Sequence, residues 1–330
     1  MVDKQMTTET SSTKVQDQSQ AGKKKLQLPQ SAGILLALLL LAALFTFLSP
    51  VFLSGTNLVN ILVQSSMTIV IATGATIVIA SAGIDLSVGS VLALSGIFMA
   101  MSLKAEWPVG VCLLLGLAGS VLIGAINGWM VGKVKITPFI ATLAMMSVAR
   151  AVAYIMTDAR PIYGLQAGFR YFGTGKIGPV PVPSLIAIAV ALAGHFIMER
   201  TRAGRNTLAI GGNEEAARLS GVNVGRAQII IYALAGLSYG IGALIMTARM
   251  NAAEPMAGLG LEMDAIAAAV IGGTSLAGGV ASIFGTVIGA LILATLRNGL
   301  TLLSVQPYFQ QLTIGIVIVA AVFLDKIRSR

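Results

Sequence analysis

Few residues in this chain of 330 have the type and spacing to do chemistry. The richest stretch is Glu199–Arg226, with Glu199, Arg200, Arg202, Arg205, Glu214, Glu215, Arg218 and Arg226. Within it, Glu215-Ala216-Ala217-Arg218-Leu219 favours a helix. Glu214 and Glu215 suit the start of that helix, where its dipole is positive. Gly221 suits its end, because glycine tolerates the left-handed turn that stops a helix. A short charged helix held between apolar segments is a lever on which a partner can push; the same residues also fit a plain solvated loop. A second candidate is Gly83-Ile84-Asp85-Leu86-Ser87-Val88-Gly89-Ser90, which sets Asp85 among glycines between two long apolar runs. An acid at such a place is a functional candidate. It also suits a helix cap, its carboxylate accepting hydrogen bonds from the next turn's N–H groups. Glu262 and Asp264 invite the same cap reading.

Enzyme signatures fail one by one. Gly173-Thr174-Gly175-Lys176-Ile177-Gly178 matches G-x-G-x-x-G, but no strand leads into it and no helix follows, so it reads as a loop. No G-x-x-x-x-G-K-[ST] run exists, so the chain has no Walker-type ATP site. Any ATP hydrolysis that drives it is expected on a separate subunit. His195 and Cys112 are the only His and Cys. A Cys/His metal site and an internal disulfide are therefore excluded. No catalytic residue, metal or cofactor is expected.

The composition says what must position these residues. Hydrophobic residues make up 56% of the chain and charged ones 11%, where a soluble domain carries about 25% charged. No charged residue lies between Lys25 and Asp85, and a membrane-spanning helix needs about 20 mainly apolar residues. Uncharged stretches at 86–103, 107–132, 177–198, 227–248, 265–296 and 298–324 repeat the pattern. The sequence predicts an all-α, multi-pass membrane protein with about ten spans. They are placed near 32–49, 61–82, 87–103, 108–131, 136–157, 183–199, 228–248, 263–281, 283–303 and 309–325. The third and eighth can equally be re-entrant segments. Gly124/Gly128, Gly236/Gly240 and Gly285/Gly289 have the spacing that lets helix backbones approach closely.

Residues 1–31 are polar and lack apolar periodicity, as in a disordered tail. Lys23-Lys24-Lys25 before an apolar run also fits a signal peptide. That run is longer than a usual signal core, and no small-residue cleavage site follows it. The net charge of +9 fits basic loops on the cytoplasmic side better than nucleic-acid binding. With ten spans and the amino terminus inside, basic residues concentrate inside. They lie in the tail, at Lys133 and Lys135, across 200–226, and at Lys326, Arg328 and Arg330. Outside stand only Lys104, Arg160, Arg170, Lys176 and Arg249. Both termini and residues 199–227 are thus expected inside, and 158–182 outside.

From about residue 33 to 327 the chain resembles permease subunits of bacterial ribose-type ABC importers. Four stretches carry the resemblance. They are Gly83–Ser90, Phe139-Ile140-Ala141-Thr142-Leu143, Gly211–Gly221, and Asp264–Ala268 with Ile271–Gly279. Glu215-Ala216-Ala217, Gly221 and Ile231 also fit the importer pattern E-A-A-x-x-x-G-x(9)-I, although Tyr232-Ala233 replaces its usual closing Leu-Pro. The resemblance implies a fold like that of the cobalamin importer: a permease domain at 32–327, tails at 1–31 and 328–330, and a coupling loop at 199–227. It implies the bacterial inner membrane and a second permease subunit. It further implies ABC ATPase subunits that carry ATP-Mg, and a periplasmic sugar-binding protein. The substrate would be a ribose-like pentose, another monosaccharide or a related polyol, moved by alternating access. Asn213, Glu214, Glu215, Ala216, Ala217, Arg218 and Gly221 would couple to the ATPase. Arg160, Arg170 and Lys176 are candidates for docking the binding protein. Asp85 and Asp264 are read as caps or pathway residues. The rival class is an ion-coupled secondary carrier or a channel for small polar solutes. The carrier is disfavoured because no acid lies deep within a predicted span, and the charged inside loop with E-A-A-x-x-x-G disfavours both.

Overall fold

The computed structural model describes residues 30–328. The expected tails therefore lie outside the described residues up to residue 29 and beyond 328. The described residues form thirteen α-helices, one π-helical segment and four two-residue strands. The helices are α1 (Gln30–Leu48), α2 (Gly55–Ala80), α3 (Val88–Lys104), α4 (Val109–Trp129), α5 (Pro138–Thr157), α6 (Ala167–Thr174) and α7 (Val182–Arg200). They continue with α8 (Arg202–Gly212), α9 (Glu214–Leu219), α10 (Val224–Met250), α11 (Leu261–Ile271), α12 (Ile283–Leu302) and α13 (Pro307–Arg328). The π segment Met130–Val134 extends α4. Six helices are long and apolar enough to cross a membrane: α2, α4 with its π extension, α5, α7, α10 and α12. The chain is a multi-pass helical membrane protein.

Side-chain size decides which helices lie inside. Helix α2 is built of Ser65, Ser66, Thr68, Ala72, Thr73, Gly74, Ala75 and Thr76, and its middle is almost wholly buried. Helix α10 buries Gly236, Ser238, Tyr239, Gly240 and Ala243. Helix α1, rich in leucine, leaves Leu36, Leu39, Leu40 and Phe47 exposed. Without water to drive apolar faces together, small residues pack helices closely, and large ones are left for lipid. The glycine pairs seen in the sequence do this. A Cβ at Gly124 would overlap the carbonyl oxygen of Tyr232, and one at Gly236 would overlap that of Ser120. These contacts hold α4 against α10. Gly285 and Gly289 meet Gly272 and Ala268 in the same way and hold α12 on α11. Thr76 and Thr286 share a buried hydrogen bond of 2.8 Å, and Asn57 and Asn298 exchange two of 2.9 Å.

Polar caps start the helices. Ser54, Thr201, Asn213, Asn223 and Ser282 each accept a backbone N–H of the following turn, a contact worth about 1 kcal/mol. Gly55-Thr56-Asn57 forms the capped first turn of α2.

The eighth span is corrected. It was expected over 263–281, but α11 ends at Ile271 and residues 272–282 form a loop. Eleven helical residues rise about 16 Å, too little for a hydrocarbon core of about 30 Å. Gly272-Gly273, with φ +88° at Gly273, ends the helix. The third span falls on α3, a 17-residue apolar helix that is not among the six long enough to cross.

Two breaks meet inside the bundle. Residues 81–87 join α2 to α3, and 251–260 join α10 to α11. Gly89 at the start of α3 lies on the backbone of Gly258; a Cβ at Gly258 would stand 2.8 Å from Gly89 O. Arg150, on the apolar helix α5, donates to the carbonyls of Pro255 and Ala257 and holds the second break in place.

Candidate functional site

The expected coupling segment, 199–227, folds as two helices between α7 and α10. After α7, Thr201 caps α8, and Asn213 then caps α9 through Ala216 N at 2.9 Å. Helix α9 is a single exposed turn and a half, Glu214–Leu219. Isolated helices this short do not persist in water, so its neighbours must hold it. Glu214 accepts from Lys135 Nζ at 2.8 Å, which ties α9 to the end of the π segment. Arg218 donates to both oxygens of Glu215, at 2.6 and 2.8 Å. Those hydrogen bonds hold the Arg218 pKa above its ordinary value. Both pairs are exposed and so contribute little stability.

Ala217 is the anchor. It is 4% exposed and belongs to the main core. It therefore faces the bundle rather than a partner, and its small size serves packing within the chain. The outward surface is made by Glu214, Glu215, Ala216, Arg218 and Leu219. Leu219, 79% exposed, belongs to this surface although it was not among the expected coupling residues. A large apolar side chain at the tip of a charged helix was the available signal. Gly221 has φ +87°, as its stop role requires.

At the opposite end of α7, α6 and the hairpin of Lys176–Ile177 with Val180–Pro181 form a small cover. Arg160, Arg170 and Lys176 are all exposed there. Lys176 and Arg249 line a groove of about 560 Å³ with Thr56 and Asn60. The G-x-G-x-x-G stretch is divided between the end of α6 and this hairpin and forms no phosphate loop.

Asp85 does not cap α3 in the expected way. Its Oδ1 accepts from the N–H and hydroxyl of Ser87, the residue before the helix, at 2.8 and 2.6 Å. Ser87 in turn accepts from Asn127 at 3.0 Å. Asp85 is 4% exposed and sits with Tyr232 and Tyr239 of α10. Among the described residues, its Oδ2 and both tyrosine hydroxyls have no hydrogen-bond partner. Tyr239 lies near the middle of α10, so the break at 81–87 carries this acid to mid-bundle. The sequence places no acid so deep; the structure corrects that, and the absence of a deep acid no longer counts against an ion-coupled carrier. Asp264 is corrected too. Gly260, φ +82°, stands at the cap position of α11, while Asp264 lies within the first turn and accepts from Arg297 at 2.8 Å.

Comparison with known proteins decides the class. A family model described as branched-chain amino acid transport system / permease component matches residues 57–322. The chain belongs to this permease family. The permease is 46% identical over 295 residues to the ribose import permease protein of Escherichia coli (strain K12), covering 88% of this chain and 92% of that one. It is 43% identical over 302 residues to the ribose import permease protein of Bacillus subtilis (strain 168), covering 91% and 94%. It is 41% identical over 301 residues to the D-allose transport system permease protein of Escherichia coli (strain K12), covering 90% and 92%. No solved structure matches it significantly. As a permease it is a membrane component rather than an enzyme.

Proposed function

We propose that the permease is the membrane subunit of an ATP-driven importer of monosaccharides, working by alternating access. What carries this reading is the 46% identity to a ribose import permease over most of both chains. ATP-Mg binds separate ABC ATPase subunits, two permease subunits pair in the bacterial inner membrane, and a periplasmic binding protein delivers the sugar. The ends bearing α8 and α9 and both termini face the cytoplasm, in keeping with the bias of basic residues. Helix α9 is the coupling element, with Asn213 and Gly221 defining its ends. Glu214, Glu215, Ala216, Arg218 and Leu219 meet the ATPase, and Ala217 seats the helix on the bundle. Closure of the ATPase dimer then favours one of two permease states, because the partner binds that state better. The test is co-purification. Tagged permease drawn from membranes in mild detergent should carry an ABC ATPase at equimolar amount. Permease that transports sugar without one would contradict the reading.

Arg160, Arg170 and Lys176 dock the binding protein on the other face. Charges at an interface rim mainly raise the association rate and fix register. Arg170→Glu should weaken binding-protein association most at low salt, where the Debye length is longest. Affinity that matches wild type at every ionic strength would remove Arg170 from the dock.

A further inference from the structure

A groove of about 660 Å³ opens between the first turn of α11, the end of α12 and the first turns of α13. Its size suits a small-molecule ligand. Asp264 and Arg297 lie on its wall beside Gln310 and Gln311, with Leu259 and Met263 as apolar surface. Such a set is unusual at this place. Arg297 is five residues short of the end of an apolar helix, and an ionisable residue at membrane depth is costly and commonly functional. The pair is also only half used. A single hydrogen bond joins Arg297 Nη2 to Asp264 Oδ1, although a guanidinium and a carboxylate can form two. Among the described residues, Asp264 Oδ2 and the remaining guanidinium N–H groups have no partner. The Asp264 side chain is 8% exposed and that of Arg297 43%, so the free guanidinium reaches the groove from a held carboxylate. Gln310 spends its amide hydrogens on Thr301 and the Val305 carbonyl, which leaves its oxygen as an acceptor.

We infer that this groove is a sugar subsite of the permease, in which Asp264, Arg297, Gln310 and Gln311 contact the hydroxyls of a passing monosaccharide. The inference rests on the sugar-importer reading and adds the residues that touch the cargo. Carboxylate, guanidinium and amide are flat, two-pronged groups. Each can span two neighbouring hydroxyls, while Leu259 and Met263 offer apolar surface to the C–H face of the ring. The groove lies at the same end of the bundle as Thr56 and Lys176, because Asn298 beside Arg297 bonds Asn57 in the first turn of α2. In the proposed orientation that end receives sugar from the binding protein. The half-used ion pair fits transit better than storage: hydroxyls can replace water on the free prongs without breaking the pair.

Cysteine protection tests it. The lone Cys112 is buried, so Gln311→Cys adds one accessible thiol. Permease carrying it is reconstituted in vesicles with its ATPase and binding protein and exposed to a membrane-impermeant thiol reagent. Ribose at about ten times its Kd should slow labelling roughly tenfold, glycine betaine at equal osmolarity should not, and completed labelling should stop uptake. The double variant Gln310→Ala/Gln311→Ala, which leaves the ion pair intact, should lose uptake yet still co-purify the ATPase. Labelling that ribose leaves unchanged, or a thiol that is covered in the membrane, would overturn the subsite while wild-type uptake stands. If wild-type vesicles take up no sugar, the importer reading falls first and this inference with it.

Discussion

Gly221→Val is expected to abolish sugar uptake and ATPase co-purification while the permease still accumulates in the membrane. Gly221 sits at φ +87°, where a Cβ costs roughly 1–2 kcal/mol and a β-branched residue more. Nothing stands within 4 Å of the added Cβ, so the cost is conformational rather than a clash. It falls on a six-residue helix with little stability of its own. About 1.4 kcal/mol shifts an equilibrium tenfold, enough to leave α9 mostly unseated. The bundle should be unaffected, because the chain on either side of α9 is held by α8 and by α10. Leu219→Asp separates the two parts of this account. It leaves the backbone alone and removes only the exposed apolar tip, so uptake and ATPase binding should fall while the fold is unchanged. Immunoblots of membranes, uptake assays and pull-downs from the same cells read all three. Normal uptake by both variants would return residues 199–227 to a solvated loop.

Gly236→Leu is expected to remove the permease from the membrane altogether. Any Cβ at this position overlaps the carbonyl oxygen of Ser120, and Gly124 closes on Tyr232 from the other side. Both obstacles are backbone, so no rotamer change relieves them; α4 and α10 must separate. Overpacking a tight core costs about 1–3 kcal/mol for added methylenes with side chains to move, and here helices must move. Helix α10 also carries Tyr232 and Tyr239 against the 81–87 break, so separation disturbs that break as well. Gly33→Leu is the control, because a Cβ there meets nothing within 4 Å. Membrane accumulation and the unfolding temperature in detergent should drop for Gly236→Leu only. Equal stability of the two would contradict the packing assigned to the glycine pairs.

Much of this was legible before any coordinates. The charge-free stretches locate the helices because lipid forces nearly every backbone group into helical hydrogen bonds. Local chemistry also reads through: Glu214 and Glu215 open α9, and Gly221 ends it. What did not read through depends on distant partners. The end of α11 at Ile271 follows from Gly272 lying on Gly285, and nothing local marks it apart from two glycines. Asp264 looks like a cap until Arg297 is brought to it from α12. Asp85 reaches mid-bundle only because 81–87 folds back against α10. Ala217 looked like a contact residue because small size serves a partner and a core equally well; only burial separates the two. The resemblance assigned the class correctly, yet Leu219, 79% exposed on α9, lies outside the coupling set that it implied.

The most direct measurement is labelled-ribose uptake by vesicles holding purified permease, with ATPase subunits and binding protein added or withheld. The account predicts accumulation against a gradient only when ATP-Mg, the ATPase and the binding protein are all present, and none when any one is missing. Uptake that continues without ATPase or binding protein and follows an imposed ion gradient, or a leak that merely equilibrates sugar, would contradict it.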